Sequence, residues 1–192
     1  FDEISLSAYV PADFPLEALE PGLEEQAYYD PVNFSYPGGA HIAEVEVDRE
    51  TGSVELVAYT AVDDVGTVIN PIIVAGQLHG GITQGVGQAL CESAVYDVGS
   101  GQLLSGSFMD YCMPRADMMP RMEIQTHSTP CAHTDLGTKG CGEVGTIGSP
   151  AAVTNAIVDA LSELGIAHID MPASPNRIWR IMQNARLPHA AE

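Results

Sequence analysis

Residues 135–160, DLGTKGCGEVGTIGSPAAVTNAIVDA, decide how this chain is read. The stretch opens as a glycine-rich loop and closes as a helix. Gly137, Gly140, Gly142, Gly145 and Gly148 allow a positive φ or a close backbone approach. Glu143 is the one carboxylate among residues 136–158. Ser149 reads as an N-cap and Pro150 as the first helical residue. Beyond them Ala152, Ile157, Ala160 and Leu161 recur at helical spacing, which predicts a buried helix face. An acid presented by flexible backbone at a helix entrance has the form of a functional site.

Working outward, the preceding residues supply a sheet. HIAEVEVD, 41–48, alternates apolar and polar residues and predicts a strand, with Ile42, Val45 and Val47 on the apolar face. Residues 49–52 form a turn and SVELVAYTAV, 53–62, a second strand. The two make a β-hairpin in a larger sheet. Asp63 and Asp64 then close a turn by capping backbone amides. A third strand is expected at 121–127, and a short one at 166–171.

Asn70-Pro71 starts a helix over residues 72–96. Leu78, Ile82, Val86 and Ala89 share one face; Gln77, Gly81, Gln84 and Gln88 share another. Gly76, Gly80, Gly81, Gly85 and Gly87 each cost about 1 kcal/mol relative to Ala in a helix interior. Either close helix packing or a bulky ligand offsets that cost. A last helix is expected at 176–185, and Gly165 stops the helix before it. Residues 1–40, with Pro11, Pro15, Pro21, Pro31 and Pro37, read as an extended connector. The connector's aromatics, Tyr9, Phe14, Tyr28, Tyr29, Phe34 and Tyr36, are to be buried on the chain's own core or on a partner. Residues 41–192 form the folded domain, of α+β class with a mixed sheet and packed helices.

Composition narrows the function. The 192 residues carry a formal net charge of −19, which argues against nucleic acid or an anionic membrane as partner. No apolar run is long enough to span a bilayer. Cys91, Cys112, Cys131 and Cys141 form no C-x-x-C pair, so no zinc knuckle or iron–sulfur motif is written and no metal ligands are assigned. Reduced thiols point to a cytoplasmic protein. His79 reads as packed or solvated. The first residue is Phe1, so the chain reads as a fragment, a processed product or a trimmed form.

KGCGEVGTIGSPAAVTNAIVDAL resembles the C-terminal signature of the molybdenum-binding large subunit of the xanthine dehydrogenase family, most closely the aerobic carbon monoxide dehydrogenase type. HIAEVEVDRETGSVELVAYTAVDDVGTVINP, GQLHGGITQGVGQALCESAVYD, LLSGSFMDYCMPRADMMP and MPASPNRIWRIM match further family blocks in order. The resemblance implies the C-terminal part of the second molybdopterin-binding domain of a molybdenum hydroxylase. Glu143 is then the general base beside the molybdenum, in oxidative hydroxylation with water as oxygen source. Gln77, Gly140, Cys141 and Gly142 belong to the molybdopterin pocket, whose cofactor is expected in its cytosine dinucleotide form. The N-terminal half of the molybdenum subunit, with iron–sulfur and FAD-carrying subunits, are the implied partners, and a small molecule is the substrate. The chain alone is then expected to be inactive. The alternative is a non-catalytic structural or relict fragment that only packs with a partner subunit.

Overall fold

The computed structural model describes residues 1–10 and 15–186; the expectations placed on Pro11 and Phe14 lie outside them. The chain divides into two compact units, Phe1–Val32 and Asn33–Glu192. In the first unit an eight-residue helix, α1 (Asp2–Tyr9), stands where an extended segment was expected. It fits because the first proline comes only at residue 11. Tyr9, Tyr28 and Tyr29 are exposed, as are Phe34 and Tyr36 at the start of the second unit. These aromatics are therefore not buried on the chain's own core.

The second unit is an α+β fold with helices on a three-stranded sheet. The strands are β1 (Gly38–Val47), β2 (Val54–Asp64) and β3 (Met122–Thr126), in the order β1-β2-β3. The hairpin is antiparallel as predicted, with His41 opposite Ala61 and Gly39 opposite Asp63. β3 joins the other edge of β2 in parallel. On β1 the inward residues are His41, Ala43, Val45 and Val47. Ile42, expected inside, is 62% exposed, because strict period-two alternation groups it with Glu44 and Glu46. The same alternation on β2 turns Tyr59, Ala61 and Asp63 inward.

Helix α2 (Pro71–Leu90) starts as the sequence predicts. Asn70 Oδ1 accepts from the Ile72 and Ile73 amides, and Pro71 follows directly. It ends at Leu90, six residues before Tyr96. Leu78, Ile82, Val86 and Ala89 form its fully buried face. Gln77, Gln84 and Gln88 are exposed, whereas Gly81, on the same side of the helix, is buried beneath Thr146 of α3.

Helix α3 (Val144–Ala160) begins five residues before Ser149, with Glu143 at the N-cap position. Ser149 and Pro150 are thus inside the helix rather than its cap and first residue. Pro150 is tolerated in its second turn because tertiary packing holds the helix on both sides. Gly145 and Gly148 are helical, and Gly137 is the glycine of the 135–160 stretch with a positive φ, +69°. The buried face carries Val153 and Ile157, with Leu161 just beyond it; Ala160 is exposed and Ala152 half-buried. Gly165, at φ +74°, ends a 3₁₀ turn at Ser162–Leu164. Residues 166–171 make no strand; Ile169 is buried there, and the Ala173 amide bonds Ala89 O instead of a ladder partner. α4 (Pro175–Arg186) places Ile178 and Met182 in the core with Leu56, Tyr59, Ile82 and Ile157.

Candidate functional site

Two pairs of glycine-lined surfaces set the geometry. A Cβ on Gly145 would lie 2.6 Å from Leu78 O, and one on Gly85 would lie 1.9 Å from Ser149 Oγ. A Cβ on Gly81 would lie 3.0 Å from Thr146 N, and the Thr146 hydroxyl donates to Gly81 O at 3.0 Å. The glycines of α2 at 81 and 85 thus let α3 lie directly on its backbone, which offsets their helix cost by packing. Gly76 and Gly80 differ: a Cβ there would meet nothing within 4 Å. Packing accounts for one glycine pair and leaves the other facing open space.

A cavity of about 600 Å³ opens at the start of α3. Its walls come from residues 35–39 and 41, from Asp63 at the end of β2, and from Gly140, Gly142 and Glu143 before α3. Ile147, Gly148, Ala151, Ala152 and Asn155 complete it along the helix. The acid and the flanking glycines singled out by sequence therefore share one cavity. Glu143 is exposed, and its carboxylate makes no cap hydrogen bond to the helix it precedes. The described residues do not enclose it.

Cys141 points elsewhere, packing against the small core of Val65, Val74, Leu78 and Val144. Gln77 is exposed on α2 and does not line the cavity; it precedes Leu78, on which Gly145 packs. His79 is exposed, with Nδ1 at 2.7 Å from Ala75 O.

Asp63 and Asp64 have opposite fates. Asp64 caps as expected: it accepts from the Gly66 and Thr129 amides at 2.9 and 3.0 Å and pairs with Lys139 Nζ at 2.8 Å. The Lys139 bond, then the two amides, hold its carboxyl far below the ordinary range. Asp63 closes no turn through its side chain. It is 1% exposed and meets His41, with Nε2 at 3.1 Å from Oδ1. His41 Nδ1 lies 2.7 Å from Tyr59 Oη. An Nε2–H donating to Asp63 leaves Nδ1 to accept from the Tyr59 hydroxyl. Burial, and then the Asp63 charge, push the Tyr59 phenol well above its ordinary value, so it stays a donor. Asp63 Oδ2 and Ser149 Oγ are buried without a hydrogen-bond partner.

The sequence pattern alone did not single out His41, and it placed Asp63 in a turn. The signal was present: counting back by twos from Val47 puts His41 inside, and the register of Tyr59 and Ala61 does the same for Asp63. Among the described residues no group of three or more His, Cys, Asp or Glu side chains is placed to hold a metal ion. The four cysteines are free. Burial and the neighbouring Cys112 thiol push the Cys91 thiol up to about 12. No described helix is long and apolar enough to cross a membrane.

Comparison with known proteins adds to this geometry. The family model described as "Molybdopterin cofactor-binding domain" matches residues 1–120. The carbon monoxide dehydrogenase large chain of Hydrogenophaga pseudoflava is 41% identical over 173 residues, 90% of this chain and 21% of that protein. The nicotine 6-hydroxylase large subunit of Paenarthrobacter nicotinovorans is 39% identical, over 93% of this chain and 22% of its own length. The crystal structure of quinoline 2-oxidoreductase from Pseudomonas putida 86 superposes with a TM-score of 0.80 at 40% identity, covering 92% of this chain and 22% of that one. The chain thus spans about a fifth of the length of the curated relatives it matches.

Proposed function

Since the chain belongs to the molybdopterin cofactor-binding domain family of molybdenum hydroxylase large subunits, we propose that it supplies the general base and part of the cofactor pocket of such an oxidoreductase. The observation that carries this reading is Glu143: a carboxylate free of its own helix, at the mouth of a cavity, flanked by open glycine backbone.

The residues present fit the cofactor. Gly140 and Gly142 have no neighbour within 4 Å of a would-be Cβ, and neither do Gly76 and Gly80 beside the exposed Gln77. Bare glycine backbone admits a close approach, and a glutamine amide, which both donates and accepts, suits the polar edge of a pterin. Gln77, Gly140 and Gly142 would hold the molybdopterin, with Cys141 anchoring their loop to the core. When bound, the cofactor supplies the two-electron redox chemistry of the hydroxylation. Glu143 accepts the proton released as a water-derived oxygen attacks the substrate carbon.

The pterin is taken to be the cytosine dinucleotide form. The remaining large-subunit sequence, with iron–sulfur and FAD-bearing subunits in the cytoplasm, completes the electron path. The chain on its own is inactive in this reading, because it spans only about a fifth of the large subunits it matches.

Glu143→Gln tests the reading. In the cofactor-loaded complex it should lower turnover by about 10²–10⁴-fold, the usual worth of a positioned general base. Molybdenum and pterin content should stay near that of the native protein. Carbon monoxide, nicotine and quinoline, on which the relatives act by name, form the first substrate panel. Undiminished turnover would remove Glu143 as the base and favour the alternative of a chain that only packs.

A further inference from the structure

Glu143 must be held at a defined place, yet its own residue offers no such restraint, since it makes no cap bond to α3. The first turns of α3 are instead set between two surfaces. On one side Gly145 rests on the α2 backbone at Leu78 and Ile82. On the other, Gly148 rests on the His41 ring: a Cβ there would lie 2.8 Å from Nδ1 and 3.0 Å from Cγ and Cε1. The ring is only 6% exposed and cannot swing aside, because Tyr59 holds one nitrogen and Asp63 the other. Asp63 is fixed in turn: a Cβ on Gly39 would lie 2.0 Å from its Oδ1. The same His41 and Asp63 line the cavity that Glu143 borders.

We propose that His41, locked by Tyr59 and Asp63, is a positioning residue: its imidazole is the wall that sets the first turns of α3, and through them Glu143, at the cavity. Its role in turnover rests on the proposed function, whereas its role in placing the helix does not. Burying these polar groups costs desolvation, and the bonds at its two nitrogens, to Tyr59 and to Asp63 Oδ1, hold the imidazole in one orientation. A misplacement of about 1 Å in a reacting group can cost 10²-fold in rate, so such a wall is worth retaining beneath a base.

The test is a double-mutant cycle on the full chain, read by hydrogen exchange of residues 144–151 with mass spectrometry. His41→Ala removes the wall, and Gly148→Ala drives a methyl into it. Each alone should speed exchange in this segment by about tenfold, while exchange in α4 stays unchanged. Combined, the two should exchange more slowly than either alone, because the new methyl occupies the space the ring vacates. Unchanged exchange in His41→Ala, or strictly additive effects in the pair, would overturn the proposal. Gly148→Ala provides an independent reading should His41→Ala fold poorly.

Turnover separates this proposal from the one on which it builds. Per bound molybdenum, kcat should fall in His41→Ala with KM little changed, and recover in the double variant. A merely structural role would lower melting temperature and cofactor loading but leave kcat per molybdenum intact, and that result overturns positioning. Altered exchange in the His41 variants beside undiminished turnover in Glu143→Gln would retire the base and keep the wall.

Discussion

At the residue scale, neighbours in sequence carry different physics. Asp63 and Asp64 are adjacent, yet one is sealed against His41 and the other takes two amides and a lysine. The difference is parity: successive side chains in a strand face opposite sides. Asp64 predicts an acid-sensitive turn. Its folded carboxyl titrates below the unfolded value of about 3.9, so its stabilisation is complete above that value and is lost as pH falls through the acid range toward the folded one. Urea unfolding followed from about pH 7 to pH 3 should show a steeper acid loss in the native chain than in Asp64→Asn. Parallel curves would mean that the pair with Lys139 does not contribute. Glu143 was legible at this scale because an acid among glycines stands out. His41 was not, because a histidine opening a strand is unremarkable until its ring meets a glycine one helix away.

At the element scale, the glycines of α2 sort into two kinds. Gly81 and Gly85 are where α3 crosses, while Gly76 and Gly80 face open space. Gly85→Ala should therefore destabilise the fold by about 1–3 kcal/mol, because the methyl meets Pro150 Cδ at 2.8 Å and that ring cannot yield. Gly76→Ala should instead stabilise the chain by up to about 1 kcal/mol through helix propensity. Chemical denaturation of both variants checks the pair; equal destabilisation would show that Gly76 packs within the chain. If the open face seats the cofactor, Gly76→Ala should also lower molybdenum content in the complex. The sequence posed this choice between packing and a ligand and had no means of dividing the glycines, since both kinds recur along one helix. The start of α3 was misread for a related reason. Ser149-Pro150 is a local entry signal, but packing on α2 and β1 carries the helix five residues back to Val144.

At the scale of the whole molecule, the second unit leaves much apolar surface uncovered. Ile42, Val57 and Val62 on the sheet, and Ile72 and Ile73 on α2, are exposed. Scattered exposed apolar residues are ordinary; contiguous ones mark surfaces that meet something. The chain spans about a fifth of its relatives' length, and the remainder of such a subunit is the occupant we propose. The isolated chain should accordingly bind a hydrophobic dye or self-associate with rising concentration. A monomer in sedimentation that leaves the dye dark would count against this view.

The sequence by itself determined the hairpin, the capped start of α2, its buried stripe and the acid among glycines. Each of these is written in residues close together, through alternation, helical spacing and turn chemistry. Tertiary structure alone decided that Ser149 lies inside a helix, that Cys141 faces the core while its neighbours face a cavity, and that His41 backs α3. Those outcomes depend on contacts between residues far apart in the chain, and no local pattern encodes which backbone will lie against which glycine.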